Sequence, residues 1–156
     1  MGSPKIGKVI ADAKVIATGN QAFKLSELRG HNVVLYFYPK DNTPGCTTEG
    51  QDFQDNALKF KQRNTIILGV SRDSLASHEK FKAKQNFRFD LISDEDEKLC
   101  KKFDVIKEKT LYGKKYMGIE RSTFIIDEKG VLRAEFRKVK VGGHIKAVLE
   151  EIRKLK

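Results

Sequence analysis

A run of apolar residues, Val33 to Tyr38, constrains the fold of this 156-residue chain more than any other feature. The run is rich in β-branched and aromatic side chains and lacks polar alternation, which is the pattern of a strand buried on both faces. A second run of this kind, Thr65 to Val70, predicts a neighbouring strand. Because such strands need helices above and below them, we expect an α/β fold.

Helical patterns lie between and after these strands. From about Cys46 the side chains of Phe53, Ala57 and Phe60 fall on one helical face. A second helix is predicted from Ser74, its N-cap, to about residue 86.

The middle of the chain predicts one more strand and one more helix. Residues 90–93 are short and strand-like, and Ser93 or Asp94 is expected to cap a helix that runs through Phe103. Acidic residues in the first turn of that helix and lysines at its end would complement the helix dipole. The following stretch, 107–115, is largely polar, and no element is assigned to it.

The last part of the chain predicts a hairpin and a closing helix. Strands at 122–127 and 131–137 flank a turn in which Gly130 occupies the expected positive-φ position. An amphipathic helix is predicted over 145–155. Near the N-terminus, residues 23–30 predict a short strand and a helical turn.

The order of these elements predicts a mixed central sheet with helices on both faces, its parallel strands joined by right-handed crossovers. No repeat or low-complexity linker divides the chain, so residues 1–156 are expected to form a single domain. No stretch approaches the ~20 apolar residues of a membrane helix. The N-terminus, Met1 to Lys5, lacks the apolar core of a secretory signal.

The net charge of +10 raises the question of nucleic-acid binding, because basic proteins often bind nucleic acids. Here the basic residues alternate with apolar ones, as in 131–137, which is typical of the solvated face of a strand. No specific nucleic-acid partner is expected. The two cysteines, Cys46 and Cys100, make no disulfide framework, so a reducing, cytoplasmic location is expected.

Cys46 stands at the junction between a buried strand, the loop 39–45 and the first turn of a helix. Free backbone N–H groups and the positive end of the helix dipole surround such a position. Both favour the thiolate, which is the nucleophilic form of cysteine. A lone cysteine is more often a small buried hydrophobe, but the loop-to-helix junction favours a reactive cysteine.

Residues 36–49, Tyr-Phe-Tyr-Pro-Lys-Asp-Asn-Thr-Pro-Gly-Cys-Thr-Thr-Glu, resemble the signature of the peroxiredoxins, specifically the bacterioferritin comigratory protein or peroxiredoxin Q branch. The core pattern Pro-x-x-x-Thr-x-x-Cys falls on Pro39, Thr43 and Cys46. A second landmark of the family, an arginine that opens a late strand, falls on Arg121. Two distant motifs in the right order are more specific than either one alone, and the likeness covers nearly the whole chain.

The resemblance implies a thioredoxin-like fold and a thiol peroxidase that needs no cofactor and no metal. Cys46 would be the peroxidatic cysteine, which attacks one peroxide oxygen while the other leaves as water or alcohol. Arg121 would stabilise the thiolate and the charge that builds on the leaving oxygen. Without the motif, Arg121 would be read as a surface cation on a strand.

Four more residues receive roles from the same resemblance. Thr43 would offer its hydroxyl to the peroxide or the thiolate, and Pro39 would shield the sulfur from water; alone, each would be an ordinary loop or strand-end residue. Glu49 would orient Arg121 or cap the helix. Glu49 and Tyr38 are also assigned to substrate binding.

Other cysteine and metal chemistries fit the sequence less well. A thioredoxin-type dithiol needs Cys-x-x-Cys, and Cys46 has no such partner. A cysteine protease needs a base, but His31, His78 and His144 are scattered, and His31 and His144 look structural. The same residues make no metal-binding set at the usual spacing.

The second cysteine departs from a common pattern of this branch, in which a resolving cysteine follows the peroxidatic one by five residues. This chain has Gln51 there, so Cys100 is the remaining candidate, and its helix face predicts a buried, inert thiol. We expect a monomeric one-cysteine enzyme, recycled by thioredoxin, glutaredoxin or a small thiol. A two-cysteine enzyme resolved by Cys100, and a chaperone-like binding module with a vestigial site, are the alternatives. Gly50 is expected to ease the local unwinding that exposes Cys46 to a partner thiol.

Overall fold

The computed structural model describes residues 4–155, so Met1-Gly2-Ser3 lies outside the described residues. The chain forms nine strands, five α-helices and one 3-10 turn at Leu25–Leu28 within this range. The strands are β1 Lys14–Ala17, β2 Gln21–Lys24, β3 Asn32–Phe37, β4 Thr65–Ser71, β5 Asp90–Ser93, β6 Ile106–Leu111, β7 Lys114–Ile119, β8 Ser122–Ile126 and β9 Leu132–Phe136. The helices are α1 Pro44–Asp55, α2 Ala57–Gln62, α3 Leu75–Gln85, α4 Lys98–Lys102 and α5 His144–Arg153.

Seven of the strands form one mixed sheet in the order β2-β1-β5-β4-β3-β8-β9. β3 pairs in parallel with β4, and β4 in parallel with β5, whereas β8 runs antiparallel to β3. Every residue of β3 is buried, as its unbroken apolar run predicted. The predicted mixed sheet is therefore confirmed.

The sheet separates two apolar cores. On one face Val33 and Leu35 pack with α4 and the 3-10 turn. On the other face Val34 and Tyr36 pack with helices α1, α2, α3 and α5. Helices therefore cover both faces, as predicted, and alternate residues of β3 contribute to opposite cores.

Several local predictions agree with the structure. Ser74 caps α3, since its Oγ accepts the N–H of Ser77 at 3.1 Å. Gly130, in the turn between β8 and β9, has φ +81°, the left-handed conformation that glycine adopts without strain. Within residues 4–155, no helix combines the length and apolar character that crossing a bilayer requires.

The predicted helix from Ser93 or Asp94 to Phe103 is wrong in its extent, because only α4 is helical. Glu97 directly before it has φ +63°, which breaks the helical path. The carboxylate of Asp94 nevertheless accepts the N–H groups of Leu99 at 3.0 Å and Cys100 at 2.7 Å. Asp94 thus satisfies free donors of the short helix from outside it.

Other boundaries also differ from the predictions. The polar stretch 107–115 forms the hairpin of β6 and β7, which is mostly exposed and so shows no apolar alternation. Strand β1 was not predicted. The helix expected from about Cys46 begins earlier, at Pro44, and Asn56 interrupts it before α2.

Candidate active site

Cys46 occupies the third position of α1, and Thr43 precedes the helix with extended backbone angles. The first helical hydrogen bond runs from the N–H of Thr47 to the carbonyl of Thr43, at 2.9 Å. Because Pro44 has no N–H, the N–H groups of Gly45 and Cys46 are the donors without an intrahelical acceptor. Cys46 is 2% exposed, so this residue of the first helical turn lies in a nearly dry environment.

Arg121 reaches Cys46 because β3 and β8 are antiparallel. Phe37 at the end of β3 pairs with Ser122 at the start of β8, so the loop after β3 meets the residue before β8. Nη2 of Arg121 donates to Sγ of Cys46 at 3.4 Å. A Cβ at Gly45 would lie 3.2 Å from the same nitrogen, so glycine here permits the approach of the guanidinium.

Glu49 lies one turn after Cys46 on α1 and binds the other terminal nitrogen of the Arg121 guanidinium. Its Oε1 accepts from Nη1 of Arg121 at 2.6 Å, whereas Oε2 is buried and has no hydrogen-bond partner among the described residues. Burial raises the pKa of the Glu49 carboxyl to about 7, against the opposing effect of Arg121. One guanidinium therefore serves a carboxyl group and a thiol at once.

Thr43 and Pro39 are half-buried on the loop between β3 and α1. The hydroxyl of Thr43 donates to the carbonyl of Lys40 at 2.8 Å. Its proton is thus engaged within the loop, and the lone pairs of its oxygen remain to accept a hydrogen bond.

Comparison with known proteins agrees with this geometry. Residues 6–135 match the model of the AhpC/TSA family. The chain is 52% identical to peroxiredoxin Bcp of Xanthomonas campestris over 142 residues, which is 91% of this chain and 89% of that protein. It is 48% identical to peroxiredoxin Bcp of Bacillus subtilis, over 96% of this chain and 95% of that protein.

Solved structures show the same likeness. Peroxiredoxin Q of Xanthomonas campestris superposes with a TM-score of 0.86 at 52% identity, over 90% of this chain and 89% of that one. Peroxidoxin BcpB of Mycobacterium tuberculosis gives 0.86 at 30% identity, over 98% and 99%. The chain belongs to the peroxiredoxins. It is accordingly a peroxidase, an oxidoreductase with the thioredoxin-like fold of that family.

Cys100 of this peroxiredoxin lies on the opposite side of the sheet from Cys46. Cys46 packs in the core with Val34, whereas Cys100 packs in the core with Leu35. Cys100 is fully buried, and burial together with the neighbouring Asp94 carboxylate raises the pKa of its thiol. These features favour the prediction of an inert thiol.

Gln51 and Gly50 both have structural roles that the sequence did not indicate. Nε2 of Gln51 donates to the carbonyl and to Oε1 of Gln85, at 3.1 and 2.7 Å, which joins α1 to the end of α3. A Cβ on Gly50 would lie 2.4 Å from Cζ of Phe87. The close approach of an aromatic ring thus accounts for this glycine without the unwinding that we expected of it.

Tyr38 and Glu49 were expected to bind substrate. The Tyr38 hydroxyl is buried and donates to Oδ1 of Asp41 at 2.6 Å. Glu49 is fully buried behind Arg121. Neither arrangement supports direct contact with a peroxide, although Glu49 does orient Arg121.

A buried polar cluster beside the active-site loop escaped the sequence analysis. It joins Asp41, Asp73 and His78, whose potential ligand atoms lie within 4.8 Å of one another. These atoms already have hydrogen-bond partners within the protein. His78 lies on the apolar face of α3. A histidine on an apolar helix face was the one sequence feature that could have indicated this cluster.

The other two histidines lie apart from this cluster. His144 is buried, with Nε2 2.8 Å from Oγ1 of Thr123, and burial together with the charge of Arg121 lowers the pKa of its imidazole to about 4. His31 is exposed and contacts Asn64 through Nδ1 at 2.7 Å. Both positions agree with the structural roles that we expected.

Proposed function

We propose that this peroxiredoxin reduces hydrogen peroxide and organic hydroperoxides through a sulfenic acid on Cys46, and that an external thiol then regenerates the enzyme. The observation that carries the proposal is the 3.4 Å contact between Sγ of Cys46 and Nη2 of Arg121 at the start of α1. A cation and a helix N-terminus both favour the thiolate. A solved structure of the Xanthomonas campestris protein, 51% identical to this chain, is described in terms of alkyl peroxide reduction activity.

In the first step the thiolate of Cys46 attacks the terminal oxygen of the peroxide. The S–O bond forms as the O–O bond breaks, so sulfur is oxidised to the sulfenic acid and the peroxide is reduced. The leaving oxygen departs as hydroxide or alkoxide and takes up a proton to become water or alcohol. Arg121 and the backbone N–H of Cys46 stabilise the developing negative charge.

The loop before α1 completes the pocket. The oxygen of Thr43 accepts a hydrogen bond from the O–H of the peroxide, because its own proton is held by Lys40. Pro39 covers the sulfur on the side of the loop and keeps water away. The hydrogen bond to Thr43 aligns the O–O bond with the sulfur before the attack.

The second step uses a thiol from outside the chain, because the sheet separates Cys46 from Cys100. The external thiol displaces water from the sulfenic acid to form a mixed disulfide. A second thiol then releases Cys46 and leaves the oxidised reductant as a disulfide. Thioredoxin, glutaredoxin or a small thiol can supply both sulfurs, and we place this monomeric cycle in the reducing cytoplasm.

Peroxide consumption by matched cysteine variants tests the proposal. Cys46→Ser is expected to abolish consumption while Cys100→Ser retains it, with thioredoxin, glutaredoxin and glutathione compared as reductants. Persistent consumption by Cys46→Ser would contradict the peroxidase site and leave a binding module as the alternative.

Intact mass after one equivalent of peroxide tests the one-cysteine part separately. The expected product has gained one oxygen, which dimedone traps on Cys46. A loss of two hydrogens would instead show a bridge between Cys46 and Cys100, and would overturn the external-thiol cycle without affecting the first step.

A further inference from the structure

We infer that His78 is a positioning residue of the peroxide site and acts through Asp41 on the loop that carries Pro39 and Thr43. The inference rests on the proposed function, because it assigns a role in the first step of that reaction. His78 is fully buried on α3, and it has no contact of its own with Cys46 among the described hydrogen bonds.

Both ring nitrogens of His78 face acceptors. Nδ1 lies 2.8 Å from Oδ2 of Asp41, and Nε2 lies 2.9 Å from the carbonyl oxygen of Ile92. A carbonyl oxygen cannot donate, so Nε2 must carry a proton. A neutral imidazole would then present its lone pair to the carboxyl group of Asp41. A hydrogen bond between Nδ1 and Oδ2 of Asp41 therefore needs a proton of its own, besides the one on Nε2.

Asp41 lies in the middle of the loop, and both its carboxyl oxygens and its backbone N–H form hydrogen bonds. Its Oδ1 accepts from the Tyr38 hydroxyl at 2.6 Å, and its Oδ2 also accepts from Oγ of Ser77 at 2.8 Å. Its backbone N–H donates to Oδ2 of Asp73 at 2.9 Å. The middle of the loop is thus attached to Tyr38 directly after β3, to α3 and to the segment after β4.

A short path leads from Asp41 to the peroxide site. Asn42 follows in the left-handed conformation with φ +63°, and Thr43 then precedes α1. Because this turn leaves little freedom, the placement of Asp41 determines where the oxygen of Thr43 lies relative to Cys46. A buried, fully hydrogen-bonded anchor suits a loop that must align a small substrate, since peroxide offers few atoms to bind.

Two substitutions of His78 separate positioning from general stability. His78→Asn keeps an N–H donor near the place of Nδ1 and loses the bond to Ile92. His78→Gln keeps a donor near the place of Nε2 and loses the bond to Asp41. We expect both variants to lower the free energy of unfolding to a similar extent, because each removes one buried hydrogen bond.

The rate constant for oxidation of Cys46 by peroxide is the decisive measurement. His78→Gln is expected to slow it about 10- to 100-fold, as a misplaced reactant does. His78→Asn is expected to slow it much less. The rate of Cys46 alkylation by iodoacetamide reports the thiolate without requiring an aligned peroxide, and should be alike in both variants and the wild type. His31→Gln, at an exposed histidine, serves as the matched control.

Equal losses of peroxide rate in the two His78 variants would overturn the inference, and so would parallel losses of alkylation and peroxide rates. If His78→Gln does not fold, Asp41→Asn replaces it, with the same loss expected and the same outcomes decisive. The double variant Asp41→Asn/His78→Gln should lose no more than one substitution alone, since both act through one pair. A wild-type protein that does not react with peroxide would contradict the proposed function, which is a different result from any variant difference.

Discussion

At the scale of single residues, one guanidinium and two acidic groups dominate the site. Arg121 contacts Glu49 at 2.6 Å and Cys46 at 3.4 Å, in surroundings where burial strengthens each charge interaction. The two acidic groups therefore compete for one positive charge.

This competition predicts the effect of removing the sulfur on Glu49. In Cys46→Ser the Glu49 carboxyl no longer shares Arg121 with the sulfur, so the pKa of Glu49, which burial raises to about 7 in the wild type, should fall. Carbon-13 NMR of labelled glutamate carboxyls measures it, with Cys100→Ser as the control. An unchanged or higher value would show that the two groups are not coupled through Arg121.

At Gly50, helix propensity and side-chain packing have opposite effects on stability. Alanine in a helix interior is favoured over glycine by about 1 kcal/mol. In Gly50→Ala, however, the new Cβ would lie 2.4 Å from the ring of Phe87, and overpacking of this kind costs about 1–3 kcal/mol. We expect a net loss in the free energy of unfolding, measured by urea denaturation.

A second substitution controls this result. Adding Phe87→Leu to Gly50→Ala should cost less than the two single losses combined, because the smaller side chain relieves the overlap. A gain of stability in the single variant would show that Phe87 moves aside freely and that helix propensity decides the outcome.

At the scale of elements, capping groups and turns decide where helices begin. Pro44 begins α1 two residues before Cys46 and leaves the N–H of Cys46 free in the first turn. The five-residue helix α4 is capped differently, because the carboxylate of Asp94 accepts hydrogen bonds from two of its N–H groups across an intervening turn.

Loss of this capping carboxylate should weaken the fold. Asp94→Ala leaves the buried N–H groups of Leu99 and Cys100 without an acceptor, so the free energy of unfolding should fall by about 2 kcal/mol. Asp96→Ala is the matched control, because Asp96 is exposed and accepts a hydrogen bond from the backbone N–H of Lys98 at 3.2 Å. Equal effects of the two substitutions in urea denaturation would contradict a capping role for Asp94.

At the scale of the whole molecule, the sheet determines which reactive groups meet. The antiparallel pairing of β3 and β8 brings Arg121 to the loop before α1. The same sheet keeps Cys46 and Cys100 in different cores. Two buried titratable groups, Glu49 and His144, also make the stability of the whole fold depend on pH.

These two groups act in opposite directions in mild acid. The pKa of His144 is lowered from 6.5 to about 4, so between these values the unfolded chain binds the proton and stability rises with pH. The pKa of Glu49 is raised from 4.5 to about 7, so between these values the folded chain binds the proton and stability falls as pH rises.

Single variants should reveal the two opposed contributions. Between pH 4.5 and 6.5, the free energy of unfolding of Glu49→Gln should rise more steeply with pH than that of the wild type. That of His144→Asn should rise less steeply than the wild type, or fall. Each group contributes at most about 1.4 kcal/mol per pH unit. Urea denaturation across this range measures the slopes, and variants parallel to the wild type would contradict the assignment.

Some strands and helices could be predicted from the sequence, and others could not. The strands β3 and β4 were predictable because burial on both faces leaves an unbroken apolar run in the chain itself. The hairpin of β6 and β7 was not, because exposed strands carry no such pattern. The extent of α4 depended on the left-handed Glu97, which composition does not reveal.

The sequence by itself determined the class of fold, the position of Cys46 at a helix start and the motif that identifies its family. Only the tertiary structure decided that Glu49 accepts a hydrogen bond from Arg121, that Asp41 contacts His78, and that Cys100 lies on the opposite face of the sheet from Cys46. The physical reason is range. Apolar periodicity and helix capping are properties of neighbouring residues, whereas these contacts join distant segments and depend on strand order, register and the face to which each side chain points.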